Sequence, residues 1–120
     1  KLIKLKHPNL EIATAPDESE LSEAKKFEAR VITNGEKTLN IMELAGLIEK
    51  ASYIIANDTG PAHIAAHLKK EGTVLFGHHT TAKKVSIETD NFKSISVKNL
   101  NLLTAESVYS RILGKLNLIY

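Results

Sequence analysis

The stretch Ile55-Ala56-Asn57-Asp58-Thr59-Gly60-Pro61-Ala62-His63-Ile64-Ala65-Ala66 reads as the end of a strand, a polar turn and the start of a helix in direct succession. The aliphatic lead-in suits a strand, and Asn-Asp-Thr-Gly is turn chemistry. Pro61 suits a first helical position, because the amide it lacks would have no intrahelical partner there. Such junctions are where α/β sheets take ligands: strand carboxyl ends form a crevice, and the next helix offers amides carrying partial positive charge. Gly60 lets a ligand approach the backbone, and the amides around Thr59, Gly60, Ala62 and His63 are expected to face an anion such as a diphosphate. Asp58, itself an anion, suits sugar hydroxyls or orientation of the turn. On spacing alone an equal reading stays open, in which Asp58 or Thr59 does nothing but cap the helix.

Outward from this junction, short apolar blocks alternate with longer amphipathic ones, the pattern of βαβ units on a parallel sheet. Five strands are expected, over Leu10 to Ala15, Ala29 to Thr33, Tyr53 to Ala56, Thr73 to Phe76 and Phe92 to Val97. The third and fourth carry the most continuous apolar runs and are expected to be the most buried. Helices are expected over Glu18 to Phe27, Asn40 to Ala51, Pro61 to Lys70 and Thr104 to Leu116, with a helical piece around Lys1 to Lys6. Asp17 followed by Glu20 has capping-box spacing, and Thr38 or Asn40 can cap the second helix. Ile41, Leu44, Ala45 and Ile48 share one face of that helix, so this face is expected to pack on the sheet. Asn34-Gly35 marks a turn, and Lys98 to Asn101 is a polar connection before the last helix.

The chain has 120 residues, the size of one domain, and 35 of them are Leu, Ile, Val or Phe, enough to bury a core. A single core is therefore expected. Sixteen basic against fourteen acidic residues leave a net charge of +2, which argues against a nucleic-acid binder working by bulk electrostatics. With no cysteine, disulfide scaffolds, thiol nucleophiles and thiolate metal sites are excluded. No apolar run approaches the roughly 18 residues of a membrane span and no signal-peptide pattern opens the sequence, so the cytoplasm is the expected compartment. The first residue is Lys1 and the single methionine is Met42, so a piece of a larger protein is the expectation.

The run NDTGPAHIAA, the Phe76-Gly77 pair after the next strand, and the preceding MELAGLIEKASYIIA resemble the C-terminal domain of glycosyltransferase family 9, the heptosyltransferases of lipopolysaccharide core synthesis. The pattern D-[ST]-G-x-x-H-x-A-A is matched from Asp58 to Ala66, and the likeness covers roughly Leu10 to Leu113. The resemblance implies a Rossmann-like, mainly parallel α/β domain, half of a two-domain GT-B fold that here lacks its first strand-helix unit. It implies a nucleotide-sugar donor, commonly ADP-heptose, held by Asp58, Thr59, Gly60 and His63. An acidic residue after the first strand would meet the nucleotide ribose, pointing to Glu18 or its neighbour Asp17. It also implies an inverting sugar transfer in which a missing N-terminal domain supplies the acceptor site and the base. The 120 residues alone are expected to be inactive, and the full-length protein is expected to associate peripherally with a membrane. No cofactor is implied. Family members often read G-P-T-x-P where this chain has Gly77-His78-His79-Thr80-Thr81, and Glu71-Gly72 replaces a proline before the fourth strand. The rival reading is a nucleotide-binding or interaction module without catalysis.

Four of five histidines lie between positions 63 and 79. His63 and His67 have the i, i+4 spacing used for zinc, but position 64 is Ile, so the glutamate base of H-E-x-x-H proteases is missing. No metal is expected. The lysine pairs 25-26, 69-70 and 83-84 read as solvated charge, with Lys83-Lys84 also placed to meet an anionic donor or acceptor.

Overall fold

A computed structural model describes residues 1–77 and 87–119. They form two compact units, Lys1–Leu44 and Ala45–Tyr120.

The first unit starts with a short helix, α1 (Leu2–Lys6), and contains two two-residue strands, β1 (Ala13–Thr14) and β2 (Arg30–Val31). These pair in parallel, Ala13 with Arg30 and Thr14 with Val31. Between them the chain makes a 3-10 turn at Glu18–Glu20 and a single helical turn, α2 (Leu21–Ala24). Asp17 caps this segment as its spacing predicts, its carboxylate accepting from the Glu20 amide at 3.0 Å. The reciprocal bond of a capping box is replaced by the Ser19 hydroxyl, which donates to the same carboxylate oxygen at 2.7 Å. The expected helix to Phe27 stops after Ala24, and Phe27 is exposed. Asn34-Gly35 turns as expected, with Gly35 in the left-handed region (φ 63°) and Asn34 and Lys37 exchanging backbone bonds of 2.8 and 3.1 Å.

Helix α3 (Ile41–Lys50) spans the boundary between the units. Of the two candidate caps Asn40 is the one used: its side chain accepts from the Glu43 amide at 2.9 Å, and Glu43 accepts from the Asn40 amide at 3.0 Å. This is a complete capping box, and Glu43 also takes a bond from the Asn34 side-chain amide at 2.7 Å. The expected apolar face is buried only at its far end. Ile48 is in the core, Leu44 and Ala45 are half-buried, and Ile41 is 70% exposed.

The second unit holds a wholly parallel sheet of β3 (Ile54–Asn57), β4 (Gly72–Phe76) and β5 (Phe92–Ser96), in that order. Helix α4 (Gly60–His67) crosses from β3 to β4 and packs against β3. It ends in a Schellman motif: Lys69 donates to Ala66 and Lys70 to Ala65, both at 3.0 Å, and Lys69 takes the left-handed conformation (φ 55°) usually left to glycine. The last helix, α5 (Ala105–Leu116), starts on Thr104, whose hydroxyl accepts from the Ser107 amide at 3.1 Å. Val74, Phe76, Ile87, Phe92 and Ile112 are fully buried, joined by Ile48, Ala62, Ala65, Ile95 and Leu116.

All five strands are present at the expected places, and the architecture is mixed α/β, with parallel sheets and helices, as a Rossmann-like fold requires. Two expectations need correction. The strands lie in a two-stranded and a three-stranded sheet rather than one five-stranded ladder, because β1 and β2 hydrogen-bond only to each other. Strand β4 is buried nearly throughout, but β3 is at the sheet edge and Ile55 is 42% exposed, since an edge strand has a neighbour on one side only.

Candidate functional site

The junction falls at the carboxyl edge of the three-stranded sheet. Strand β3 ends at Asn57, α4 begins at Gly60, and Asp58 and Thr59 form the two-residue link. The carboxyl ends of β4 and β5 lie beside it in ladder order.

Thr59 is the N-cap residue, with extended backbone (φ −143°, ψ 176°), yet its side chain makes no capping bond. Its hydroxyl instead donates to the Asn57 carbonyl at 3.4 Å, a bond at the weak limit. The reading in which Thr59 serves only to cap the helix is therefore not what the structure uses. The amides depart from expectation too. Thr59 N–H is taken by the Asn57 carbonyl at 2.8 Å, and Ala62 and His63 N–H both point at the Thr59 carbonyl, at 3.0 and 3.4 Å. Three of the four amides expected to face an anion are thus engaged in closing the tight turn. Gly60 N–H is the one with no partner among the described residues. A Cβ at Gly60 would meet nothing within 4 Å, so its lack of a side chain serves no packing need.

Asp58 is the least exposed polar side chain of the turn, at 20%, against 50% for His63. Its Oδ1 lies 3.9 Å from His63 Nε2, too far for a hydrogen bond and an ion pair only when the imidazole is protonated. One turn of α4 thus brings an acceptor-only carboxylate and an imidazole to the same mouth, with the Thr59 hydroxyl and Gly60 N–H between them in sequence. The set offers donors for an anion and an acceptor for hydroxyls.

Glu18 belongs to the first unit. It is exposed and opens the 3-10 turn after β1, and its side chain makes no hydrogen bond or ion pair among the described residues. Asp17, its alternative, is committed to the cap. His67 lies one turn beyond His63 on α4, and the described residues contain no group of three or more metal-ligating side chains. His78, His79, Lys83 and Lys84 lie outside the described residues.

Sequence reasoning did not single out a cleft of about 380 Å³ past the carboxyl end of β5, lined by Val97, Asn99, Leu102, Thr104 and Ser107. It opens on the same edge of the sheet as the turn. The polar connection Lys98 to Asn101 before the last helix was the available signal. A second cleft of about 360 Å³ lies at the opposite, amino edge, beside the Tyr53–Thr73 hydroxyl pair, which is 2.6 Å apart. Residues 58–63 line neither cleft.

No helix among the described residues is long and apolar enough to cross a membrane. No curated protein and no solved structure matches the chain. The family model of glycosyltransferase family 9 (heptosyltransferase) matches residues 9–117, which take in most of each unit and the whole Asp58–His63 turn. With that match over nearly its full length, the chain belongs to glycosyltransferase family 9 (heptosyltransferase).

Proposed function

We propose that the chain is the donor-binding part of an inverting glycosyltransferase and that the Asp58–His63 turn holds the nucleotide sugar. The observation that carries this reading is the coincidence of the D-T-G-P-A-H turn of a family 9 chain with the carboxyl end of a parallel strand. On this reading the Gly60 amide, the Thr59 hydroxyl and the His63 imidazole donate to the diphosphate, while Asp58 accepts from sugar hydroxyls. Glu18 takes the nucleotide ribose. The donor is a nucleotide sugar, ADP-heptose, used in lipopolysaccharide core synthesis in the cytoplasm.

The proposal includes a division of labour. In an inverting transfer an acceptor hydroxyl loses its proton to a base and attacks the anomeric carbon, and the nucleoside diphosphate leaves with the bonding electrons. Donors at the turn would stabilise the charge growing on that leaving group. The base and the acceptor site come from a second domain of a GT-B pair, which docks peripherally at the membrane. The 120 residues on their own bind donor without transferring it.

Titration of isotope-labelled protein with ADP, UDP and their sugars tests this by NMR. With one free amide and two side-chain donors, an affinity around millimolar is expected, on the order of −4 kcal/mol. Shifts should centre on Thr59, Gly60 and the His63 ring. Because a methyl at Gly60 meets no protein atom, Gly60→Ala should leave Tm within about 1 °C yet weaken binding severalfold. Absence of shifts at several millimolar ligand would sink the donor-site reading. Binding without any turnover once the partner domain is supplied would favour the non-catalytic module.

A further inference from the structure

We infer that the cleft at the amino edge of the three-stranded sheet is a second binding site, for a small phosphate monoester that carries hydroxyl groups. This is independent of the donor-site reading: the cleft and the Asp58–His63 turn lie at opposite ends of β3, and no residue of the turn lines the cleft.

The sheet register builds the floor. Thr73 pairs with Ile55 on one side and with Lys93 on the other, and Tyr53, two residues before Ile55, falls on the same face. Three neighbouring strands thus bring Tyr53, Thr73 and Lys93 to one side. Helix α5 supplies the wall. Its Ile112 and Leu116 are buried and seat it, which leaves Arg111 and Lys115, one turn apart, lining the cleft of about 360 Å³. Asp90, just before β5, adds the one carboxylate of the lining.

This lining has more donors than the protein itself engages. Tyr53 and Thr73 meet hydroxyl to hydroxyl at 2.6 Å, which engages one of their two protons and leaves the other for a further acceptor. Among the described residues neither Arg111 nor Lys93 makes a side-chain hydrogen bond or ion pair, and Asp90 is within ion-pair distance of no cation. Lys115 reaches Glu71 at 3.4 Å, longer than the roughly 2.7–2.9 Å of a strong charge-assisted bond, so it is loosely held. Glu88, whose carboxylate feels the Lys93 charge, is occupied by the hydroxyl and amide of Ser94. Three cationic heads against one carboxylate give the lining residues a net charge of +2. A phosphate monoester, with about two negative charges near neutral pH, is the matching ion, and the guanidinium fork of Arg111 suits its oxygens. Asp90 accepts and does not donate, so the part of the ligand beside it carries hydroxyls.

Glucose 6-phosphate, inorganic phosphate and glucose are the probes, added to the isotope-labelled 120-residue chain at constant ionic strength and followed by NMR. Glucose 6-phosphate should shift the amides of Thr73 and Lys93 and the Arg111 side-chain Nε signal, with an affinity around millimolar, as suits solvated charges. Inorganic phosphate should shift the same signals but bind about threefold more weakly, and glucose should not bind. Arg111→Gln, at an exposed position, should keep the native spectrum and weaken glucose 6-phosphate about fivefold or more. Asp90→Asn should weaken glucose 6-phosphate and not inorganic phosphate. Shifts at Thr59, Gly60 and His63 report the donor turn instead, so either reading can fail without the other. Five results would overturn the inference: no shift at Thr73 and Lys93 up to about 20 mM ester, an equal response to glucose, inorganic phosphate binding as tightly as the ester, unchanged affinity in Arg111→Gln, or unchanged affinity in Asp90→Asn.

Discussion

Gly72 shows how one residue can be dictated by its neighbours. A Cβ there would stand 2.5 Å from the Ile54 carbonyl and 2.5 Å from the Phe92 ring, between a backbone atom and a fully buried side chain, so neither can yield cheaply. Gly72→Ala should cost about 2 kcal/mol and lower Tm by several degrees, measured by thermal unfolding. Glu88 is a different case, an exposed acid held in one place. Its carboxylate accepts the Ser94 hydroxyl at 2.6 Å and the Ser94 amide at 2.8 Å, and these bonds, with a smaller contribution from Lys93, draw its pKa below the ordinary glutamate value. The charged form is the one bonded, so this tie is intact above the ordinary carboxylate range and is lost as pH falls through the lowered value. A carboxyl NMR titration should show this midpoint, and Ser94→Ala should move it upward while the backbone bond keeps part of the depression. At the candidate site, Asp58, Thr59, Gly60 and His63 were legible from the motif alone. That three nearby amides are already bonded was not, because a turn's internal bonds depend on backbone angles that its composition does not specify.

Among the elements, caps were the most readable feature and strand ends the least. Capping depends on residues three apart in sequence, so Asp17 is assigned its role and the cap of α3 is narrowed to Thr38 or Asn40 without tertiary knowledge, while the choice of Asn40 and the cap at Thr104 came from the structure. Helix α3 offers the test. Asn40→Ala removes the acceptor for the Glu43 amide and should cost about 1 kcal/mol, whereas Thr38→Ala, at the other candidate cap, should cost little; urea unfolding of both variants separates them. Strand length is a property of the partner. LEIATA and ARVIT have the composition of six- and five-residue strands, but β1 and β2 have only each other to pair with and the ladder closes after two residues apiece. Strand β3 shows the converse, with the composition of an interior strand and the position of an edge.

For the whole molecule, the distribution of buried side chains matters more than their number. Among the described residues, ten of the eleven buried hydrophobic core residues belong to the unit Ala45–Tyr120, while Lys1–Leu44 contributes Ala24 beside the buried Pro16 and His7. Opening free energy follows buried apolar contacts, so β4 and the facing side of α5 should exchange their amides last, and those of β1, α2 and β2 at least a hundredfold sooner. Native-state hydrogen exchange measures this directly, and equal protection of the two units would contradict it. The sequence by itself determined the alternation of strands and helices, their parallel sense, the Asp17 cap and the turn that marks the family, because each rests on periodicity or on residues within one turn of each other. Only the tertiary structure decided that the strands divide into two sheets, that β3 stands at the edge of its own, and that among the described residues the turn keeps a single unengaged amide. Pairing, burial and hydrogen-bond satisfaction are relations between segments far apart in the chain, and a residue's type states what it can satisfy but not which neighbour it will have.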